Sequence, residues 1–301
     1  MANEIICPIC NGLEVFERLV VKDHSVSGEI FQLFACRTCS ALYTLNPPVP
    51  DQIGVYYQSD AYISHTDSNQ GLFNKVYQRV RKIALANKRK LIEHQDAGQT
   101  QGKILDYGCG TGAFLHEMKL AGWDVTGVEP DESARSRASS LINQPVYEPA
   151  MLESLATGSY QVITLWHVLE HVHELHKTVA RLADLMDDNG LMIIAVPNHL
   201  SHDAHHYGQY WAAYDVPRHL HHFNPQSLKH LLSLHGLEIT RILPMWFDSF
   251  YVSLLSEKYK SGKMKIFPAI WQGLSSNFMA LKRPGTCSSQ IYLIKKKISL
   301  Q

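Results

Sequence analysis

Three stretches of this 301-residue chain carry side chains able to do chemistry. The first is a pair of knuckles, Cys7-Pro-Ile-Cys10 and Cys36-Arg-Thr-Cys39. At this cysteine frequency chance gives roughly 0.1 such C-x-x-C pair, so two are meaningful. Four thiolates spaced C-x2-C, 25 residues, C-x2-C suit tetrahedral zinc. All four positions are cysteine, which leaves no open position for catalysis, so the expected role is structural. The second stretch is ILDYGCGTGAF, residues 104–114. The third is DVPRHLHHF, residues 215–223; with His199, His202, His205 and His206 it places seven histidines within 24 residues.

In the second stretch a strand-like run enters Gly108-Cys109-Gly110-Thr111-Gly112, and a helical pattern follows. Glycines let the backbone turn tightly and approach a ligand closely. Glu129 closes the next strand, where a carboxylate can accept from both hydroxyls of a ribose. Gly108, Gly110 and Ala113 also satisfy the G-x-G-x-x-G/A dinucleotide fingerprint, so the turn alone is ambiguous. Asp106 separates the readings: its carboxylate repels a pyrophosphate and favours a cation. S-adenosylmethionine carries an amino group, a sulfonium and a ribose. An NAD enzyme is disfavoured on the same ground.

Asp106-Tyr107-Gly108-Cys109-Gly110-Thr111-Gly112, with Glu129-Pro130, resembles the class I S-adenosylmethionine-dependent methyltransferases. YQVITLWHVLEHV, residues 160–172, is similar to a signature of their small-molecule branch. The cysteine module resembles the zinc-binding N-terminus of some sugar and natural-product methyltransferases. The run from Trp211 to Phe223 resembles a loop of methyltransferases of glycan or cell-envelope biosynthesis. The resemblance implies that Asp106, Gly108, Gly110 and Gly112 line the methionine end, with Tyr107 and Cys109 also in the cofactor site. Glu129 then holds the ribose, with Pro130 beside it in the cofactor site, and Met151 and Leu152 flank the adenine. Trp166 and His167 leave the fourth strand beside the sulfonium.

The histidines admit several readings. His173-Glu174 is followed by His176, so H-E-x-x-H is absent. His167 and His171 have the i, i+4 spacing of two ligands, yet they fall at a strand exit and its turn. Glu170 and His171 read as a polar network supporting that turn. For the 215–223 loop three roles stay open. His219 positions or deprotonates an acceptor, with Arg218 gripping an anionic group on it. Alternatively His219 and His222 anchor the loop to the helix after Asn224. The third role is a metal site, for which no close carboxylate or cysteine completes a convincing ligand set. Tyr207, Trp211 and Tyr214 are expected to line the acceptor site.

These residues need elements to position them. Residues 1–45 read as a zinc-ribbon-like module, too short to bury a core without a metal staple. Residues 46–100 read as a linker opening at NPPVP, a stretch holding Tyr56, Tyr57 and Tyr62, and a helix from about Gly71 to His94. Leu72, Val76, Val80, Ile83 and Leu91 mark its apolar face, and Lys75, Arg79, Lys82 and Arg89 a solvated basic face. Residues 101–301 alternate strands and helices. The expected fold is α/β: a Rossmann-like seven-stranded, mostly parallel sheet with helices on both faces. One helix is expected through VHELHKTVARLADLMDD, and another from an Asn224 cap and Pro225 to His235. A helical insertion, 247–282, precedes the last strand, QIYLIKKK. It is a candidate lid, homodimer contact or peripheral membrane contact.

Bulk properties bound the function. Lysine plus arginine and aspartate plus glutamate number 28 each, so the net charge is zero. Nucleic acid rewards a basic face, so no nucleic-acid partner is expected. No signal peptide or transmembrane segment is read, which points to the cytoplasm. The expected activity is methyl transfer from S-adenosylmethionine to a small-molecule acceptor, a sugar, glycan or cell-envelope intermediate among the candidates. The rival readings are a zinc-containing RNA-binding methyltransferase and a non-catalytic S-adenosylmethionine-binding protein.

Overall fold

The computed structural model describes residues 5–57, 72–95 and 102–297. Tyr62, Gly71 and the side chains of Leu72, Lys75 and Val76 lie outside the described residues. By backbone proximity the described residues fall into two compact units. One comprises 5–57, 167–179 and 194–297, the other 72–95, 102–166 and 180–193.

In the first unit, alternating residues fold into β1 (Val15–Lys22) and β2 (Ile30–Cys36), followed by β3 (Leu42–Thr44). The β1–β2 turn is built on Asp23, whose carboxylate accepts from the amides of Ser25, Val26 and Ser27. A carboxylate that satisfies turn amides is a local signal for such a bend.

The strands from residue 102 onward form the second sheet. Their elements are β4 (Lys103–Tyr107), β5 (Asp124–Val128), β6 (Val146–Tyr147), β7 (Tyr160–Trp166) and β8 (Met186–Pro197). A two-residue strand, β9 (His221–His222), leaves this series, and β10 (Leu237–Pro244) and β11 (Ser289–Lys296) close it. The sheet has seven strands in the order β10-β11-β8-β7-β4-β5-β6. β4 runs parallel to β5 and β7, and β5 parallel to β6, while β10 and β11 are antiparallel. Parallel neighbours need crossover helices, which explains the strand–helix alternation. The chain reverses its direction of build at β4, and ligands bind at such a switch point. Ile104, Leu105, Leu115, Met118, Val162 and Ile163 form part of the buried core here.

β9 joins the first sheet instead, giving the order β1-β2-β3-β9. Leu42 pairs with His222, and Tyr43 with His221. The cysteine module and the histidine loop therefore share one antiparallel sheet, which sequence spacing did not reveal.

Helix boundaries follow local capping. Asn224 caps Pro225–Ser233 through a reciprocal box with Ser227. The helix expected through Asp188 is shorter and ends at Leu185. Met186 is buried as β8 begins, and Asp187 accepts from the Asn189 amide, which turns the chain out of the helix. The insertion contains two helices, Asp248–Ser261 and Ile266–Lys282.

Candidate active site

At the end of β4, Asp106 is buried and pairs in register with Thr164 of β7, whose hydroxyl donates to it at 2.6 Å. Gly108, Gly110 and Gly112 all have positive φ. Gly112 is the tightest, because an added Cβ would sit 2.9 Å from the Cβ of Ala138. The turn thus brings the Gly110 amide against Glu129, donating to Oε2 at 2.8 Å, while the Asp131 amide donates to Oε1 at 3.0 Å. A carboxylate has about four acceptor positions, so roughly two stay open for hydroxyls.

Burial pushes Asp106 up to about 7, against the Thr164 hydrogen bond and the charge of Lys88, with Glu129 adding to the rise. Burial likewise raises Glu129. Two buried carboxylates at one strand-end turn make a site that rewards a cation. The Lys88 ammonium lies 4.2 Å from the centre of the Trp166 ring and 5.9 Å from that of Phe114. Trp166 also holds Phe114 edge-on, and its Nε1 has no hydrogen-bond partner among the described residues. Lys88 was missed in the sequence, where its helix reads as a solvated basic stripe. Of that stripe, Arg89 pairs with Glu93 at 3.4 Å.

Leu152 is buried and Met151 is exposed on the short turn Pro149–Ser154. Arg181 holds this turn by donating to the carbonyls of Leu152 and Glu153, each at 3.1 Å. No motif marked Arg181 in advance. Cys109 and Tyr107 are buried at the glycine turn, and Pro130 is exposed beyond Glu129. These residues fit S-adenosylmethionine: a carboxylate for its cationic end, acceptor positions for its ribose and an apolar turn for its base.

Beyond Trp166, His167 takes a left-handed backbone and its amide donates to the carbonyl of Ala195. A non-glycine residue there is uncommon. It leads into the 3-10 turn Leu169–His171. Glu170 is 1% exposed, yet neither carboxylate oxygen has a hydrogen bond of good geometry among the described residues. Its Oε1 lies 3.5 Å from His167 Nδ1 and 4.0 Å from His219 Nε2. Burial works to raise its pKa, but the interaction with His167 and the charges of His219 and His171 bring it down to about 2. His219 Nδ1 donates to the Ala213 carbonyl at 2.9 Å, which turns Nε2 towards the carboxylates of Glu170 and Asp215, each 4.0 Å away. His171 packs edge-on to His219 at 4.6 Å, and burial lowers it to about 4. One ligand atom each from Glu170, His171 and His219 lies within 4.8 Å of the others. The fold thus adds Glu170 to the loop's own carboxylate, Asp215, whose Oδ2 also lies 4.0 Å from His219 Nε2.

Arg218 does not meet the expectation of a guanidinium gripping an acceptor. It is 1% exposed, and its fork is occupied. It donates to both oxygens of Asp215 at 2.7 and 3.0 Å, to Asp23 at 3.1 Å, to the Tyr56 carbonyl at 2.6 Å and to the Ser25 hydroxyl. Asp23, 195 positions away, is the partner no local pattern predicted. The aromatic expectation is corrected too. Tyr207, Trp211 and Tyr214 are core residues, clustered with Val21, Leu33 and Leu42. They bury the ribbon sheet, so they offer no open surface to an acceptor. His221 and His222 are buried, their rings bonded to the Val172 carbonyl and the Thr44 hydroxyl.

The four knuckle thiols form a compact tetrad. Cys7 and Cys39 sulfurs are 3.6 Å apart, Cys10 and Cys36 sulfurs 3.5 Å, and all four lie within 4.8 Å of one another. A tetrahedron of Zn–S bonds has edges of about 3.8 Å, so these thiols fit structural zinc. The Asn11 and Ser40 amides close the two knuckles onto the carbonyls of Cys7 and Cys36.

Residues 77–242 match the family described as "Methyltransferase domain", more than half of the chain. The chain belongs to that methyltransferase family. Its sheet is that of class I S-adenosylmethionine-dependent methyltransferases. The methyltransferase is 34% identical over 110 residues to a ubiquinone biosynthesis O-methyltransferase of Bordetella avium, covering 34% of this chain and 46% of the relative. It is 29% identical over 168 residues to the protein of that name from Aromatoleum aromaticum, covering 51% of this chain and 71% of the relative. The chain thus spans about half the length of the first relative. Among solved structures, magnesium protoporphyrin IX methyltransferase from Synechocystis PCC 6803, with bound SAH, superposes at a TM-score of 0.52. That match has 14% identity and covers 80% of this chain and 97% of that one. It shows the shared fold.

Proposed function

We propose that this methyltransferase moves the methyl group of S-adenosylmethionine to a hydroxyl of a small-molecule acceptor. When bound, that group supplies an electrophilic methyl on a sulfonium. The chain's own residues position it and handle the acceptor proton. Asp106 and the glycine turn hold the cationic methionine end. Glu129 takes the ribose hydroxyls, and Met151 and Leu152 flank the adenine. Lys88, at the Trp166 face, offers a charge for the methionine carboxylate. The O-methyltransferase relatives support an oxygen acceptor.

The observation that carries the acceptor side is Glu170: a buried carboxylate between His167 and His219, with His219 Nε2 turned towards it by the Nδ1 bond to Ala213. His219 is the proposed base, Glu170 stabilises the imidazolium that forms, and His167 orients Glu170. Arg218 is a positioning residue, through Asp215 and the loop. His219→Asn should lower kcat by about 10²–10⁴ with cofactor affinity unchanged. Glu170→Gln should lower kcat less, by about tenfold or more. Turnover within threefold of the parent in both would remove the base from this reading.

Asp106 has a pH signature. Its folded-state pKa of about 7 lies above the usual carboxylate value. The proton it holds stabilises the fold below about pH 4, and that contribution is lost as pH rises through about 7. Above 7 the buried charge is relieved by a cation. Affinity for S-adenosylmethionine should therefore rise about tenfold per pH unit from 5.5 towards 7 and then level off. In Asp106→Asn the rise should flatten, with affinity at pH 8 down by about 100-fold. Isothermal titration across pH gives both, and a profile identical in the two proteins would refute the assignment.

A further inference from the structure

The Ile266–Lys282 helix is amphipathic in the inverted sense. Its buried residues are small or polar: Ala269, Gln272, Gly273, Ser276 and Ala280. Spaced mostly by three and four, they form one stripe facing the protein. Gly273 lies so close to Phe250 that an added Cβ would meet its ring at 2.6 Å. The Ser276 hydroxyl donates to Asp203 at 2.9 Å, and the Asn277 amide to the Trp246 carbonyl at 2.9 Å. These contacts fix which face points outward.

The outward face holds the large apolar residues Phe267, Ile270, Trp271, Leu274, Phe278 and Leu281. Phe267 is 87% exposed, Trp271 75% and Leu281 69%. Single exposed apolar residues are ordinary, but a contiguous aromatic stripe marks a binding surface. Its charge names the occupant. From Lys258 to Arg283 there are six basic residues and no acidic one, in a chain of zero net charge. All six are exposed: Lys258, Lys260, Lys263, Lys265, Lys282 and Arg283. They flank the apolar stripe at both ends, and the Lys282 ammonium sits 4.6 Å from the centre of the Phe278 ring. A second copy docked on this face by twofold symmetry would bring like charges together. An anionic bilayer accepts both features, apolar residues at the acyl boundary and cations at the headgroups. No helix among the described residues is long and apolar enough to cross a membrane, so this one would lie in the plane.

We propose that the Ile266–Lys282 helix docks the protein on an anionic phospholipid surface, Phe267 and Trp271 inserting and Lys263, Lys265, Lys282 and Arg283 facing the headgroups. The inference stands apart from the chemistry of the cofactor site. Co-sedimentation of the full chain with phosphatidylcholine vesicles holding about 30% phosphatidylglycerol tests it, against phosphatidylcholine alone. The anionic vesicles should retain about tenfold more protein, and Phe267→Ser/Trp271→Ser and Lys263→Glu/Lys265→Glu should each lose about tenfold. Both variants change exposed residues, and unchanged melting temperatures confirm that they fold. Absence of binding, equal binding to neutral vesicles or equal binding by the variants would overturn the proposal. So would a dimer that Phe267→Ser/Trp271→Ser dissociates in a protein that ignores vesicles, which would assign the face to a second copy.

Discussion

Stripping the metal from the knuckle cysteines is expected to abolish methyl transfer while leaving cofactor binding nearly intact. The ribbon's strands are short and half-exposed, so its order depends on the thiol tetrad. Structural zinc contributes about 10–16 kcal/mol in small peptides. The ribbon in turn supports the histidine loop. Thr44 Oγ1 donates to the His219 carbonyl at 2.7 Å, the Thr44 amide to the Leu220 carbonyl at 2.9 Å, and β3 pairs with β9. Losing the ribbon therefore releases His219 from Glu170. Turnover should fall by at least about 100-fold, as expected when a base is misplaced by about 1 Å. Affinity for S-adenosylhomocysteine should change by less than about threefold, since Asp106, Gly110 and Glu129 are held by β4, β5 and β7. Elemental analysis, turnover and calorimetry on chelated protein check the three parts. Full activity without metal would show that the ribbon does not position the loop.

The second large effect is expected from Arg218→Ala. The side chain is buried, with Asp23 fully buried on one side and Asp215 on the other. Removing one partner of a buried ion pair costs about 3–5 kcal/mol, because the remaining charges lose their compensation. For a chain of this size that is a fall of roughly 10 °C in melting temperature. The network also sets the acid limb of stability. Burial works to raise Asp215 and Asp23, but the Arg218 guanidinium, joined at Asp23 by turn amides, holds both below the usual carboxylate range. A depressed carboxylate stabilises the fold above its unfolded value near 4, and the contribution is lost as pH falls towards the folded value. The parent should therefore lose melting temperature between about pH 5 and pH 3, and Arg218→Ala should lose less over that span. If Arg218 instead gripped the acceptor, the variant would raise KM at an unchanged melting temperature. Thermal melts and steady-state kinetics on one preparation decide between them.

The division of labour in DVPRHLHHF follows from these contacts. Asp215 and Arg218 lock the loop to the β1–β2 turn, His221 and His222 lock it to β3 and Val172, and His219 alone presents a nitrogen to Glu170. Sequence patterning separates none of these roles, since all five residues are polar and adjacent.

What the sequence determined by itself was local. Strand–helix alternation carried the class I sheet, because hydrophobic period and crossover length are written within a few tens of residues. The Asp106 to Glu129 signature placed two buried carboxylates at a glycine turn, because glycine and carboxylate needs arise within one β-α-β turn. The two knuckles carried the thiol tetrad, because ligand spacing is short within each pair. The tertiary structure alone decided what depends on distant partners. It brought Asp23 to Arg218, β3 to β9, Glu170 to His219 and Lys88 to Trp166. It also turned Tyr207, Trp211 and Tyr214 inward and the aromatic face of Ile266–Lys282 outward. An aromatic residue looks the same in a sequence whether it fills a core or faces outward, and only the packing around it settles which.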